Sequence, residues 1–187
     1  MTRAFLRAVR ALRAVRRLGP ARLGGLIFGA AALLTAPRSQ AAIPTGETVD
    51  GIHCDAAEGV ALHIHPHLTI LDHGKPVGIP DDVGRPLGGQ CFYWLHTHTG
   101  DGIIHVESPA IREFTLGEFF AVWGQPLGPR DIAGAKPRRG DKVIVYVDGD
   151  RYTGDPRKIE FTQHLDIDIL IGPPYRKPPP FTAWNGN

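Results

Sequence analysis

Hydrophobic and polar positions fall into two regimes along this chain. From Leu23 to Leu34 apolar and small residues run without interruption, whereas beyond residue 42 the pattern shortens to alternation and brief apolar runs punctuated by glycine, proline and aspartate. The clearest alternation is Leu62-His-Ile-His-Pro-His-Leu-Thr-Ile70, with Leu62, Ile64, Pro66, Leu68 and Ile70 on one face, the period of a strand. Pro66 has no N–H to give a ladder, which predicts an edge strand. Asp72-His-Gly-Lys75 reads as a turn and Val77-Gly-Ile79 as a short return. Cys91–His98 and Ile103–Glu107 read as two strands around the hairpin loop Thr99-Gly-Asp-Gly102. Lys142–Val147 and Lys158–Ile171 make a last pair.

One helix is signalled. Thr115-Leu-Gly-Glu118 fits a capping box, Phe114 and Phe119 occupy the positions of a hydrophobic staple, and Gly124 marks the end. Its apolar load of Phe119, Phe120, Val122 and Trp123 needs a sheet to cover it. The expected fold is mainly β, an antiparallel, sandwich-like domain with one short α-helix at about residues 115–123.

The first regime has a different meaning. Residues 1–41 carry eight arginines and no acid, and Ser39-Gln40-Ala41 follows the apolar run with small residues where a signal peptidase reads. Basic start, short apolar core and small-x-small site form the secretory pattern. Twelve residues are too few for a bilayer span, which needs about 20. An uncleaved membrane anchor and an arginine-rich transit peptide are the competing readings. Arg16-Arg17 resembles a twin-arginine signal, although its flanks fit poorly. The chain thus divides into an export signal (1–41), a single β-rich domain (42–172) and a proline-rich tail (173–187), with export to the periplasm or medium and no stable membrane span after cleavage.

That division changes the charge. The chain has 21 basic and 19 acidic residues. Eight basic residues lie in 1–41, which leaves 13 against 19, or −6 with neutral histidine. A net-acidic domain without a basic run lacks the footprint of a nucleic-acid binder. Cys54 and Cys91 are the two cysteines, and an even count in an exported chain favours a disulfide, with thiolate metal ligation as the alternative. Met1 is the single methionine, so no thioether ligand remains for a blue-copper site.

Histidine carries the candidate chemistry. Eight of nine histidines fall between residues 53 and 105. His96 and His98 share a strand face, as do His105 and Glu107. With residues 99–102 as the loop, cross-strand pairs sum to 201, so His98 faces Ile103, His96 faces His105 and Trp94 faces Glu107. Opposed β-carbons lie about 4.5–5.5 Å apart, close enough for three imidazoles to meet one ion. Glu107 is a fourth ligand, a carboxylate orienting His105, or a general base. His63, His65 and His67 share the face opposite the Leu/Ile stripe and form a second group. His53 and His73 read as surface residues or as supports behind a ligand, and His164 with Asp166 and Asp168 as a wet strand face or a minor metal patch.

Several imidazoles with one carboxylate suit copper, zinc, iron or nickel and argue against calcium or magnesium. Three function classes follow. The first is an exported histidine-rich domain that binds, delivers or senses a transition metal ion. The second is a metal-dependent enzyme with a three-histidine site and Glu107 as ligand or base. The third is a metal-free envelope interaction domain. Protein partners are not legible.

The segments His63-Ile-His-Pro-His-Leu68, Trp94-Leu-His-Thr-His98, Gly102-Ile-Ile-His-Val-Glu-Ser-Pro109, Phe114-Thr-Leu-Gly-Glu-Phe-Phe120, Trp123-Gly-Gln-Pro-Leu127 and Tyr152-Thr-Gly-Asp-Pro-Arg157 together resemble a family of secreted bacterial proteins of unassigned function. The resemblance spans nearly the whole of residues 42–187 and implies export, without implying an activity.

Overall fold

The structure, a computed structural model, describes residues 46–187 except Gly88 and Asn185. The export reading of residues 1–41 lies outside the described residues.

In chain order, β1 (Cys54–Asp55) and β2 (Leu62–Ile64) precede β3 (His67–Asp72) and its return β4 (Lys75–Pro76). Next come β5 (Phe92–Tyr93), β6 (Leu95–His96), β7 (His105–Ser108), the helix α1 (Leu116–Trp123), β8 (Leu127–Gly128) and β9 (Asp131–Ile132). The series ends with β10 (Val143–Val147), β11 (Asp150–Tyr152) and β12 (Asp166–Ile171). The main sheet has the order β11-β10-β12-β3-β4, a smaller sheet runs β2-β7-β6, and β1–β5 and β8–β9 form two-stranded ribbons. The fold is mainly β with one helix, as the pattern predicts. The main sheet is mixed, because β12 runs antiparallel to β10 but parallel to β3.

The alternating run over 62–70 does not form one strand. At Pro66 the chain steps from the small sheet into the main one, so β2 is an edge while β3 lies between β12 and β4. The cause is the missing N–H of proline. Its carbonyl still accepts from Ile104 N (2.8 Å), and pairing resumes only at His67, which bridges to Ile103. Leu68 N then donates to Gly102 O at 3.0 Å. That close approach requires glycine: Gly102 has φ +89°, and a β-carbon there would stand 2.5 Å from Leu68 O.

The helix forms where the capping box places it. Thr115 Oγ1 accepts from Glu118 N (3.3 Å), Glu118 Oε2 accepts from Thr115 N (2.7 Å), and Gly124 closes the helix at φ 68°. Leu116, Phe119, Phe120 and Val122 are buried, and α1 packs against β6. Each fully buried side chain of this size contributes about 1.5–3 kcal/mol. With Leu68, Ile70, Leu95, Val106, Ile167 and Ile169 they form one continuous core that backs both sheets. Of the expected strand 158–171 only Asp166–Ile171 is β; residues 156–158 form a 3-10 turn capped by Asp155, and His164 takes φ +60°.

Cys54 and Cys91 are joined by a disulfide, which ties β1 to the start of β5. Among the described residues the proline-rich tail has no strand or helix, and it lies back on the domain. Phe181 N donates to Asp166 Oδ2 (2.9 Å), and the Phe181 ring stacks 3.7 Å from that of His67. No helix among the described residues is long and apolar enough to cross a membrane.

Candidate metal centre

The β6–β7 ladder pairs Leu95 with Val106 and His96 with His105, the register that sums to 201. Glu107 N donates to Trp94 O (2.8 Å), which continues it. The loop departs from a simple hairpin, because Ile103 pairs with His67 and not with His98. Thr97 fixes the intervening turn of the chain: it is buried, its Oγ1 donates to Pro80 O (2.7 Å) and accepts from Val83 N (3.1 Å). With Leu95 and Thr97 pinned on one side, His96 and His98 are directed to the other.

There the polar groups converge. His96 is fully buried, and its Nδ1–H donates to Tyr93 O at 2.8 Å. This tautomer turns the Nε2 lone pair into the cluster, the arrangement by which a carbonyl orients a metal-ligating imidazole. His98 Nε2 lies 3.0 Å from that Nε2. His105 Nδ1–H donates to Glu107 Oε1 at 3.2 Å, and His63 Nε2 stands 3.2 Å from the same oxygen. Two groups, His96/His98/His105/Glu107 and His63/His65/His105/Glu107, each bring four donor atoms within 4.8 Å of one another and could hold a metal ion. Ligands about 2.0–2.1 Å from a common ion need only small adjustments from such spacing.

Burial sets the electrostatics. It pushes the imidazole of His96 down to about 4 despite the nearby Tyr93 carbonyl and Glu107 carboxylate. His65 falls to about 4 as well, through burial and then the neighbouring rings of His105 and His63. His98 is also lowered, by burial first and then by His105. Burial alone would raise Glu107, but the hydrogen bond from His105 and the charges of His96 and His63 hold it down to about 2. The result is a buried carboxylate held ionised beside His65, His96 and His98, whose basicity burial lowers, and deprotonated donors are what a metal ion requires.

The structure divides the expected second group. His63 and His65 reach the cluster, whereas His67, beyond Pro66, does not. Its Nδ1 faces Asp166 Oδ1 (2.9 Å) and its Nε2 faces Asp101 O (3.1 Å), so both ring nitrogens are engaged away from the cluster. His53 sits against Trp94, and His73 between Asp72 and Asp141. His164 lies under the Trp184 ring, outside the strand of Asp166 and Asp168.

One acidic residue at the site has no signature in the strand pattern. Glu58 Oε1 lies 3.7 Å from His96 Nε2 and 3.6 Å from His98 Nε2. It is carried by the β1–β2 loop, which is sewn to β7 by Gly59 N→Glu107 O (3.3 Å) and Ala61 N→Ser108 O (3.0 Å). A β-carbon on Gly59 would fall 2.2 Å from Ser108 C, so the loop approaches β7 only because residue 59 is glycine. Its carboxyl is raised by burial and by the charge of Glu107. The glycine after an acid was the sole available sign.

Comparison of the chain with protein-family models, with curated proteins and with solved structures gave no match. The geometry of the cluster therefore carries the functional argument.

The same pKa shifts set a pH dependence for the metal-free protein. His65 and His96 titrate near 4 when folded and about 6.5 when unfolded, so between those values the unfolded chain binds protons that the folded one refuses. Each costs roughly 3 kcal/mol by pH 4. Asp168 opposes them: burial, then Asp166, pushes its carboxyl up to about 6, so acidification returns roughly 3 kcal/mol. The expected net loss from pH 7 to pH 4 is about 3 kcal/mol, and Glu107 adds to it below its unfolded value. Urea unfolding of chelator-treated protein at the two pH values measures this; equal stabilities would refute it.

Proposed function

We propose that this protein is an exported domain that binds, delivers or senses a transition metal ion of the copper, zinc or iron type. The observation that carries the reading is the convergence of His96, His98, His105 and Glu107, with the Nε2 lone pair of His96 aimed inward by Tyr93 O. Three imidazoles and one carboxylate match borderline ions and not calcium or magnesium. Export is supported by the basic, apolar and small-residue order of residues 1–41 and by the Cys54–Cys91 bridge, which persists in oxidising compartments. Membership of the secreted family that the motifs resemble is part of the same proposal.

A second reading, a metal-dependent enzyme, is favoured by one feature. His98 and Glu58 are 34% and 39% exposed on their side chains, while His96 and Glu107 are enclosed, so the cluster opens to solvent on one side. Three protein ligands with an open position would admit water or a substrate. Glu58 or Glu107 would then serve as base.

Elemental analysis tests the shared premise. Protein purified after expression of the full chain with copper, zinc and iron supplied is expected to retain at least one near-stoichiometric equivalent of one of them through gel filtration. Recovery without any of the three would overturn metal binding in both readings.

A further inference from the structure

We infer that the cluster holds two metal ions side by side, one on His96 and His98 and one on His63 and His65, with the Glu107 carboxylate bridging them. This rests on the metal-binding reading above and goes beyond it in number and arrangement. Three observations point to it, of which the first is the overlap of the two donor groups. They share His105 and Glu107 and differ only in their histidine pairs. Neither pair belongs to the other's group, so one ion does not collect all six residues.

The second observation is the aim of the carboxylate. Glu107 Oε1 faces His63 Nε2 at 3.2 Å, whereas Oε2 is directed to His96 Nε2 at 4.0 Å. Two oxygens presented to two different imidazole sets are what a bridging carboxylate offers. Ions joined in this way stand about 3.5–4 Å apart.

The third observation is His65. The residue is 94% buried (6% exposed), and neither ring nitrogen has a hydrogen-bond partner. It is the one side chain among the described residues whose buried polar atoms are left in this state. An orphaned buried donor or acceptor costs about 1–3 kcal/mol, so such groups require an explanation. A single ion on His96, His98 and His105 gives none. Backbone hydrogen bonds lock His65 in place, with its N donating to Gln163 Oε1 (2.8 Å) and its O accepting from His164 N (3.1 Å). Its ring packs 4.6 Å from that of His105 and 4.7 Å from that of His63, inside the second group. An ion on His63, His65 and Glu107 Oε1 satisfies it.

The two carboxylates offset part of the charge in this arrangement. Two divalent ions bring four positive charges into a partly enclosed space, and the carboxylates of Glu107 and Glu58, both within 4.0 Å of His96 Nε2, offset two of them. Glu58 Oε1, within 3.7 Å of both His96 Nε2 and His98 Nε2, completes the first ion, while the exposed ring of His63 leaves the second open to water.

Titration of the purified full chain with Co(II), followed by electron paramagnetic resonance of the Cu(II)-loaded protein, tests the inference. Native protein is expected to saturate at two equivalents, and His63→Ala/His65→Ala at one. The two-copper protein is expected to show far less than two spins of signal, because the ions couple through Glu107. The single variant His63→Ala, at an exposed ring, guards against loss of folding in the double variant and is expected to weaken the second equivalent at least tenfold. Saturation of native protein at one equivalent would overturn the second ion and leave the one-ion reading standing. Two equivalents with two full, uncoupled spins would overturn the bridge, and no binding at all would overturn both readings.

Discussion

Replacing His96 and His98 together with alanine is expected to abolish retention of the ion held at that pair. Structural four-ligand zinc sites bind with about 10–16 kcal/mol, or about 3 kcal/mol for each ligand if shared evenly. Loss of two ligands then removes about 6 kcal/mol, roughly a 10⁴-fold rise in Kd. The geometry makes the pair the strictest part of the site. Their Nε2 atoms lie 3.0 Å apart, and each meets Glu58 Oε1 at under 4 Å. Competition titrations with a chromophoric chelator measure the change. His96 is fully buried, so His98→Ala alone, at a half-exposed ring, serves as the milder companion and is expected to lose about half of that free energy. A double variant that folds and binds as native protein does would remove the ligand assignment.

The second large effect belongs to the Cys54–Cys91 bridge. It spans 37 residues of sequence, and closing a loop of that size lowers the entropy of the unfolded chain by about 4 kcal/mol at 25 °C. Against a typical stability of about 5–15 kcal/mol this is a large share. Cys54→Ala/Cys91→Ala is therefore expected to lower the melting temperature by about 10 °C, read by calorimetry under reversible conditions. A shift below about 2 °C would refute it. The bracketed segment includes Glu58, His63 and His65. Its release should also weaken the histidine cluster, since β1 anchors the loop that delivers Glu58.

How much of this was legible depended on locality. The helix could be read because its signals lie within ten residues: Thr115, Glu118, Phe119 and Gly124 act on one another directly. The His96–His105 register could be read because strand alternation and the parity of a short loop decide it. The break at Pro66 was legible only as a defect in the strand; the pattern did not reveal that it would send His63 and His65 to one sheet and His67 to another. Glu58 was illegible because its place depends on a loop held by two backbone hydrogen bonds and a glycine contact. The β3–β12 pairing was hidden for a different reason. All six residues of β12 are buried, so Asp166 and Asp168 imitate an alternating wet face where there is none.

The placement of β12 also has a consequence in time. Every donor of the cluster lies between Glu58 and Glu107, yet the strand that completes the main sheet beside β3 occupies Asp166–Ile171. Parallel pairing across such a sequence gap forms late and slowly. A growing chain thus displays its histidines well before it owns the core that shelters them. An ion caught at that stage would be held by an unfinished protein, with nothing to select its identity. The fold consequently favours an order of events in which synthesis is completed first, the sheets close second and any ion arrives last.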